Sequence, residues 1–508
     1  MRLTLTATTP AISTSLDSNV NYLNQLLGVG QGPGSSWDIM AKAFGYGELR
    51  MMSYVLNGYF LTMDMVLILR EFEKHVIMFK QSHQENPMNM NELVGYLSKN
   101  VGFVQVQTVL KMEDAVRFIL SGPMITFIDG FEYAFMIDTR IYPMRSIEPT
   151  EVERVIRGPR DGFVETMLMN TALIRRRLRD PALRSELMQV GTRSKTDVTL
   201  MYLADVADPE LVTRMRRALQ SIKSDIVSMA EQAVTDMIGQ IGWNPYPVVR
   251  YTERPDVAAT ALVDGHVVIV VDTTPEVIIA PITLFQLLQH PEEYHSYPSV
   301  GTYGRWVALL ANLISIVLPG LFLVANLQPH AFAAMVPFLM VDKAGPLPLW
   351  IELIVAEVSL YILRMAILNT PVPIAAMVSI IAAFAFGELA PNVNFLPPEV
   401  LLYMAFVLVA QLSISSFELG SANELTRFWT IFVTQLGFWV GAQYWGFVVS
   451  LVLWFVFLAT RTSFGVPYLW PLIPLQWSNG LIEVLLRRPM NRIRRRPAIL
   501  RPRMQKRM

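Results

Sequence analysis

Between residues 306 and 460 the chain carries only three basic residues, Lys343, Arg364 and Arg427, and residues 306–327 hold no Asp, Glu, Lys or Arg at all. A hydrocarbon core of about 30 Å is crossed by about 20 apolar helical residues. A backbone placed there must satisfy its own hydrogen bonds, which leaves helices as the natural solution for such a stretch. Further candidate spans follow at 349–368, 372–389, 400–417 and 428–460. The last is too long for one simple crossing, and Gly437, Gly441 and Gly446 near its middle point to a hairpin of short helices or one long tilted helix. The formal net charge of zero over 508 residues conceals this division, because residues 1–300 are ordinary and charge-rich. There is no cysteine, so disulfides and thiolate metal sites are excluded.

The segment 349–368 is apolar yet contains Glu352, Glu357 and Arg364. An ionised side chain near the centre of a span costs about 2.5–3.5 kcal/mol on insertion scales. Glu352 and Arg364 lie near the ends and are expected to snorkel, whereas Glu357 cannot. Glu357 and Arg364 are about 10.5 Å apart along a helix axis, too far to pair within it, so each needs a partner elsewhere. Two readings stay open: an interhelical polar clamp, or an ion path with Glu357, Arg364 and Glu352 as its candidates.

Orientation follows from the end of the chain. No acidic residue follows Glu483, while Arg487, Arg488, Arg492, Arg494, Arg495, Arg496, Arg501, Arg503, Lys506 and Arg507 do. The positive-inside rule keeps such a tail cytoplasmic, with anionic lipid its expected partner rather than nucleic acid. The first 30 residues show no signal peptide, so the N-terminal half is expected on the same side, with an even number of crossings.

That half reads as two α/β subdomains. Asp129-Gly130 and Asp264-Gly265 each stand between apolar runs, a hairpin signal because both positions tolerate positive φ. Each unit is followed by Asp-Thr, at 138–139 and 272–273, a hint of relatedness. Residues 198–206 read as a strand, and 163–179 and 209–222 as amphipathic helices. Prolines 143, 149 and 159 place a boundary in 142–159. The fold class expected is therefore an α/β cytoplasmic N-terminal region of two subdomains (1–145 and 146–300), then an all-α polytopic membrane domain (301–475, four to six segments) and a basic cytoplasmic tail (476–508).

Motifs for chemistry are sparse. GVGQGPG (28–34) lacks the following Lys-Ser/Thr of a phosphate loop and reads as a connection. HPEEYH (290–295) fits no zinc spacing. No nucleophile elbow, Walker motif or HExxH is present, so no enzyme, cofactor or metal is expected. Arg157, Arg160, Arg175, Arg176 and Arg177 form a basic stretch that suits a subunit or anion contact, although neighbouring acids make a solvated face the plainer reading.

Four segments resemble the A-subunit family of spore germinant receptors: RGPRDGFVETMLMNTALIRRRLRDP (157–181), GTRSKTDVTLMYL (191–203), NPYPVVRYTERPDVAATALVDGHVVIVVDTTP (244–275) and RTSFGVPYLWPLIP (461–474). LMQVGTRSKTDV, QHPEEY with VGTYGRW, SFELGSANELTRF and PAILRPR single out one branch of it. The resemblance implies a multi-pass protein of the spore inner membrane with both termini on the core side. It implies a homo-oligomer, a pentamer, working with other germination membrane proteins, among them a small membrane partner. The activity implied is release of monovalent cations, in a branch that supports or amplifies germination. At position 361 the receptor pattern has another Glu, one turn before the Arg matched by Arg364; here it is Tyr361.

Overall fold

The computed structural model describes residues 10–46, 49–83, 90–101, 105–141, 153–227, 229–239, 242–329, 340–370, 372–392 and 395–507. Two compact units emerge. The first takes Met1–Ile241, Tyr251–Pro281 and Ile493–Met508; the second takes Gly242–Arg250 and Ile282–Arg492. The division thus falls at 281/282 rather than at 300, and the last basic residues belong with the α/β unit instead of forming a separate tail. Most of the expected subdomain boundary, 142–152, lies outside the described residues.

The first unit contains the same fold twice. Helix α1 (Leu16–Leu27) is followed by β1 (Ile39–Tyr46), β2 (Leu49–Leu56), α2 (Thr62–Ser82), α3 (Met90–Asn100), β3 (Val106–Val109), α4 (Met112–Ser121), β4 (Met124–Ile128) and β5 (Ala134–Ile137). The second copy runs α5 (Met167–Arg177), β6 (Leu183–Val190), β7 (Thr196–Leu203), α6 (Pro209–Gln220), α7 (Ala230–Gly239), β8 (Arg250–Thr252), α8 (Pro255–Asp264), β9 (Val267–Val271) and β10 (Val277–Ala280). The sheet orders are β1-β2-β4-β5-β3 and β6-β7-β9-β10-β8, the same path in each. Alternation along β4 explains the layering of the first copy: Ile125 and Phe127 meet α1 and α4, while Met124 and Ile128 meet α2 and α3.

Small polar joints repeat as well. Asp129 Oδ1 accepts the Leu16 N–H at the start of α1 at 3.0 Å, and Asp272 Oδ1 accepts the Met167 N–H at the start of α5 at 3.0 Å. The Asn19 amide clasps the backbone of Ser13, and the Asn170 amide clasps that of Val164. The turn after β4 uses Gly130 at φ 89°, and the turn after β9 uses Thr273 at φ 71°.

This alignment corrects one expectation. Asp129-Gly130 does close a hairpin, with Phe127 opposite Ala134. Asp264-Gly265 does not: residues 261–263 are helical, and Gly265 at φ 106° caps α8. Pro255 at the first helical turn and the i, i+4 pair Ala258 and Leu262 favour a helix there, and a glycine at positive φ terminates a helix as readily as it turns a hairpin. The true counterpart of Asp129-Gly130 is Asp272-Thr273.

The C-terminal residues fold back on the second copy. The Arg503 N–H donates to the Val206 carbonyl at 2.9 Å and Arg496 Nε to the Val263 carbonyl at 2.7 Å, while Arg507 pairs with Asp264. Met504 packs against the core that holds α5 and α8.

The second unit is helical: α9 (Pro298–Leu327), α10 (Leu349–Leu368), α11 (Val372–Phe384, continued as a π-turn through Leu389), α12 (Pro398–Leu412), α13 (Phe417–Trp439) and α14 (Trp445–Thr460). By length and composition, α9 is long and apolar enough to cross a membrane; α12 and α14 are apolar but shorter. The stretch 428–460 forms a hairpin. Its arms close on Gly437 and Gly446, where a Cβ on Gly437 would lie 2.4 Å from the Gly446 Cα. The first arm, however, begins at Phe417 rather than Phe428. Ser416 caps it by accepting the Leu419 N–H at 3.2 Å, so Glu418, Glu424 and Arg427 are helical.

Candidate functional site

Glu357 on α10 meets its partner on α13. Arg427 Nε and Nη2 each donate to one Glu357 oxygen at 2.9 Å, a two-pronged pair in which both side chains are 1% exposed. The Tyr403 hydroxyl on α12 donates to Glu357 Oε1 at 2.7 Å. Two parallel charged hydrogen bonds fix direction as well as distance, which suits a planar guanidinium far better than a lysine.

Arg364, seven residues along α10, pairs with Glu424 on the same facing helix, Nη2 to Oε2 at 2.9 Å. The pairing is antiparallel: the earlier acid of α10 takes the later base of α13, and the later base takes the earlier acid. Gln411 on α12 joins the two pairs, its Oε1 accepting from Arg427 at 2.9 Å and its Nε2 lying 3.4 Å from Glu424. Two carboxylates and two guanidiniums make the cluster neutral, which lowers the cost of keeping it among apolar helices. The Arg364 guanidinium also lies over the rings of Tyr361 and Phe417, at 5.0 and 5.5 Å. An aromatic face at 361 supports that cation.

Glu352 departs from its expected role. Its residue is 1% exposed, and Oε1 has no hydrogen-bond partner among the described residues. It is packed against Gly345 rather than extended to an interface.

The basic stretch disperses. Arg175 is buried and fully engaged: it forks onto Asp38 at 2.9 and 3.0 Å and donates to the carbonyls of Asp180 and Leu183. Arg177 pairs with Asp161 at 2.5 Å, and Arg157, Arg160 and Arg176 are exposed. Burial would raise the Asp161 carboxyl, but the hydrogen bond and charge of Arg177 hold it below its ordinary value. Arg175 is therefore a joint between the two α/β copies and not part of a surface patch.

The Gly-rich loop serves the same joint. The Gly34 N–H donates to Glu186 at 2.6 Å, and Trp37 and Ser185 exchange backbone hydrogen bonds with the facing segment. Glu186 also receives Arg216 at 2.6 and 2.7 Å and the Tyr202 hydroxyl at 2.5 Å. Burial alone would raise the Glu186 carboxyl, yet these donors hold it below the ordinary range. In HPEEYH, Glu293 is taken by Arg305 at 2.8 Å.

Sequence reasoning did not include Arg427, Glu424, Tyr403 and Gln411 among the site residues. A signal existed for the first two: the buried series Leu419, Ala422, Asn423, Thr426 and Thr430 keeps helical spacing across Arg427, so the helix does not start after it.

The family of this chain, with its duplicated α/β unit and its apolar helical unit, is shown by sequence comparison. The family model described as Bacillus/Clostridium GerA spore germination protein matches residues 29–499. The chain is 36% identical to stage V sporulation protein AF of Bacillus subtilis (strain 168), over 93% of each chain. It is 27% identical to the uncharacterized membrane protein YfkQ of the same organism, over 91% of this chain and 87% of that one. The solved N-terminal domain of the A subunit of the Bacillus megaterium spore germinant receptor GerK3 aligns with 54% of this chain and 97% of that one, at 25% sequence identity and a TM-score of 0.41. The chain belongs to the GerA family of spore germination proteins, and membership supports a role in spore germination.

Proposed function

We propose that this protein is a multi-pass subunit of a germination complex in the spore inner membrane, with both termini on the core side. It assembles as a homo-oligomer, a pentamer, with other germination membrane proteins that include a small membrane partner. The oligomer passes monovalent cations and so supports or amplifies germination. The observation that carries this reading is the neutral four-charge cluster of Glu357, Arg427, Arg364 and Glu424 within the apolar helices of a GerA-family chain. Intramembrane ionisable groups mark ion and proton paths more often than they serve stability alone. The relative named as a membrane protein, and the length and apolarity of α9, support the membrane setting. Exposed Arg494, Arg495, Arg501 and Arg503 suit anionic lipid. No catalytic role is proposed.

Planar-bilayer recording of the purified protein, with and without a small co-expressed partner, tests the reading. Currents should appear, and Glu357→Gln should alter conductance or selectivity. Unchanged currents in that variant would remove Glu357 from the path. One observation favours a second reading, a non-conducting scaffold that docks another transport complex: both Glu357 oxygens are occupied by Arg427 and Tyr403, the geometry of a clamp. Absence of current under both conditions would select it.

A further inference from the structure

Helix α13 buries a polar stripe in an otherwise apolar unit. Asn423, Arg427, Thr430 and Thr434 are spaced by four, three and four residues, which at about 100° per residue keeps them within about 60° of one another along one face. The stripe rises about 16 Å from end to end. All four are buried, as is the neighbouring Gln435.

These groups are only partly satisfied. Asn423 Nδ2 donates to Asn312 Oδ1 on α9 at 2.8 Å, and the Thr430 hydroxyl donates to its own helix at 2.9 Å. Asn423 Oδ1, Arg427 Nη1, Thr434 Oγ1 and Gln435 Oε1 have no hydrogen-bond partner among the described residues. On the facing helix, Pro319 has no N–H to give the Ser315 carbonyl, and Ser315 is fully buried beside Asn423.

An unpaired buried polar group costs about 1–3 kcal/mol. Four on 13 consecutive residues would outweigh much of a domain's net stability, and native interiors hold few such groups. Water resolves the conflict, since buried waters typically bond to polar groups left otherwise unsatisfied. We infer that each subunit encloses a water-filled seam along α13, internal to the protomer and distinct from any path between subunits. Arg427 lies within the stripe, so its pair with Glu357 divides the seam into an Asn423 half and a Thr434–Gln435 half. Water at Arg427 Nη1 supplies that arginine's missing acceptor and raises the local dielectric around the ion pair.

The seam does not depend on conduction, so bilayer recordings and the following measurements can fail separately. Water-edited solid-state NMR on the full-length protein in lipid bilayers compares the build-up of water magnetisation at Thr430 and Thr434 with that at Ile431, a buried apolar neighbour on the same helix. Build-up at the two threonines should be about threefold faster or more, as expected for direct water contact. Equal rates would overturn the seam. Thr434→Val, nearly isosteric, adds an independent reading of sign. A hydroxyl bonded to water is missed when removed, so the melting temperature falls; an unbonded hydroxyl in a dry site is better absent, so a rise would also overturn the inference.

Discussion

Two buried arginine–carboxylate pairs of nearly the same geometry sit in the two units, and they differ in what surrounds them. Arg175 and Asp38 join the two α/β copies with distances of 2.9 and 3.0 Å, and the remaining Arg175 nitrogen donates to backbone carbonyls. Arg427 and Glu357 join two apolar helices at 2.9 Å twice over, yet Arg427 Nη1 has no partner among the described residues and lies in a row of other polar groups. The first pair is closed, with every donor answered by protein. The second is open, with one guanidinium nitrogen unanswered among the described residues. Burial and distance are alike in the two pairs; the unanswered donor is what separates them.

The largest effect should come from opening the closed pair. Arg175→Ala leaves Asp38 charged in a site 2% exposed and should cost about 3–5 kcal/mol. The loss is readable by denaturant unfolding followed at Trp37, whose indole bonds to Thr199 beside the joint. The double variant Arg175→Met/Asp38→Leu should regain most of it. If the double variant is no better than the single, the pair matters as packing only.

Arg427→Met probes the other side of the comparison. With water in the seam to screen the abandoned Glu357, the cost should be smaller than for Arg175→Ala, about 1–3 kcal/mol, measured by thermal melting in detergent. A loss equal to that of Arg175→Ala would make the two pairs the same kind of joint and erase the distinction.

The gentlest test is of pH. Glu186 has a folded-state pKa below its unfolded value, so its stabilising contribution is present above an unfolded pKa of about 4.3 and is lost as pH falls through the lower, folded value. Glu186→Gln should therefore lower the melting temperature near pH 7 and flatten its acid dependence below about pH 4.3. A parallel acid profile in wild type and variant would show that the joint with Arg216 and Gly34 is not what acid breaks.

Much of this was readable in advance, for local reasons. The hairpin at Asp129-Gly130 and the helix starting at Pro209 are each set by turn chemistry and period within a short window, whereas for 428–460 the hairpin was one of two readings that the glycines left open. The demand that Glu357 find a partner outside its own helix also followed from rise per residue alone. Asp264-Gly265 misled because one glycine conformation serves two kinds of ending, and only the long-range pairing of β9 with β7 and β10 distinguishes them. Glu352 was expected at an interface from its place near a helix end, but neighbouring segments cover it. Arg175 looked like one member of a charged run, and nothing within that run identified it as the one turned onto Asp38, which precedes it by 137 residues.

By itself, the sequence determined the division into a charge-rich half and an apolar helical half, and that the helical half holds a carboxylate too costly to leave alone. Those are consequences of composition and spacing, which act along the chain. The tertiary structure decided the partner, Arg427 rather than any residue near Glu357 in sequence, the repetition of one fold across the α/β unit, and the gathering of polar groups into one seam. Those depend on which helix and sheet faces meet, and a preference for burial says that a face must be covered without saying by what.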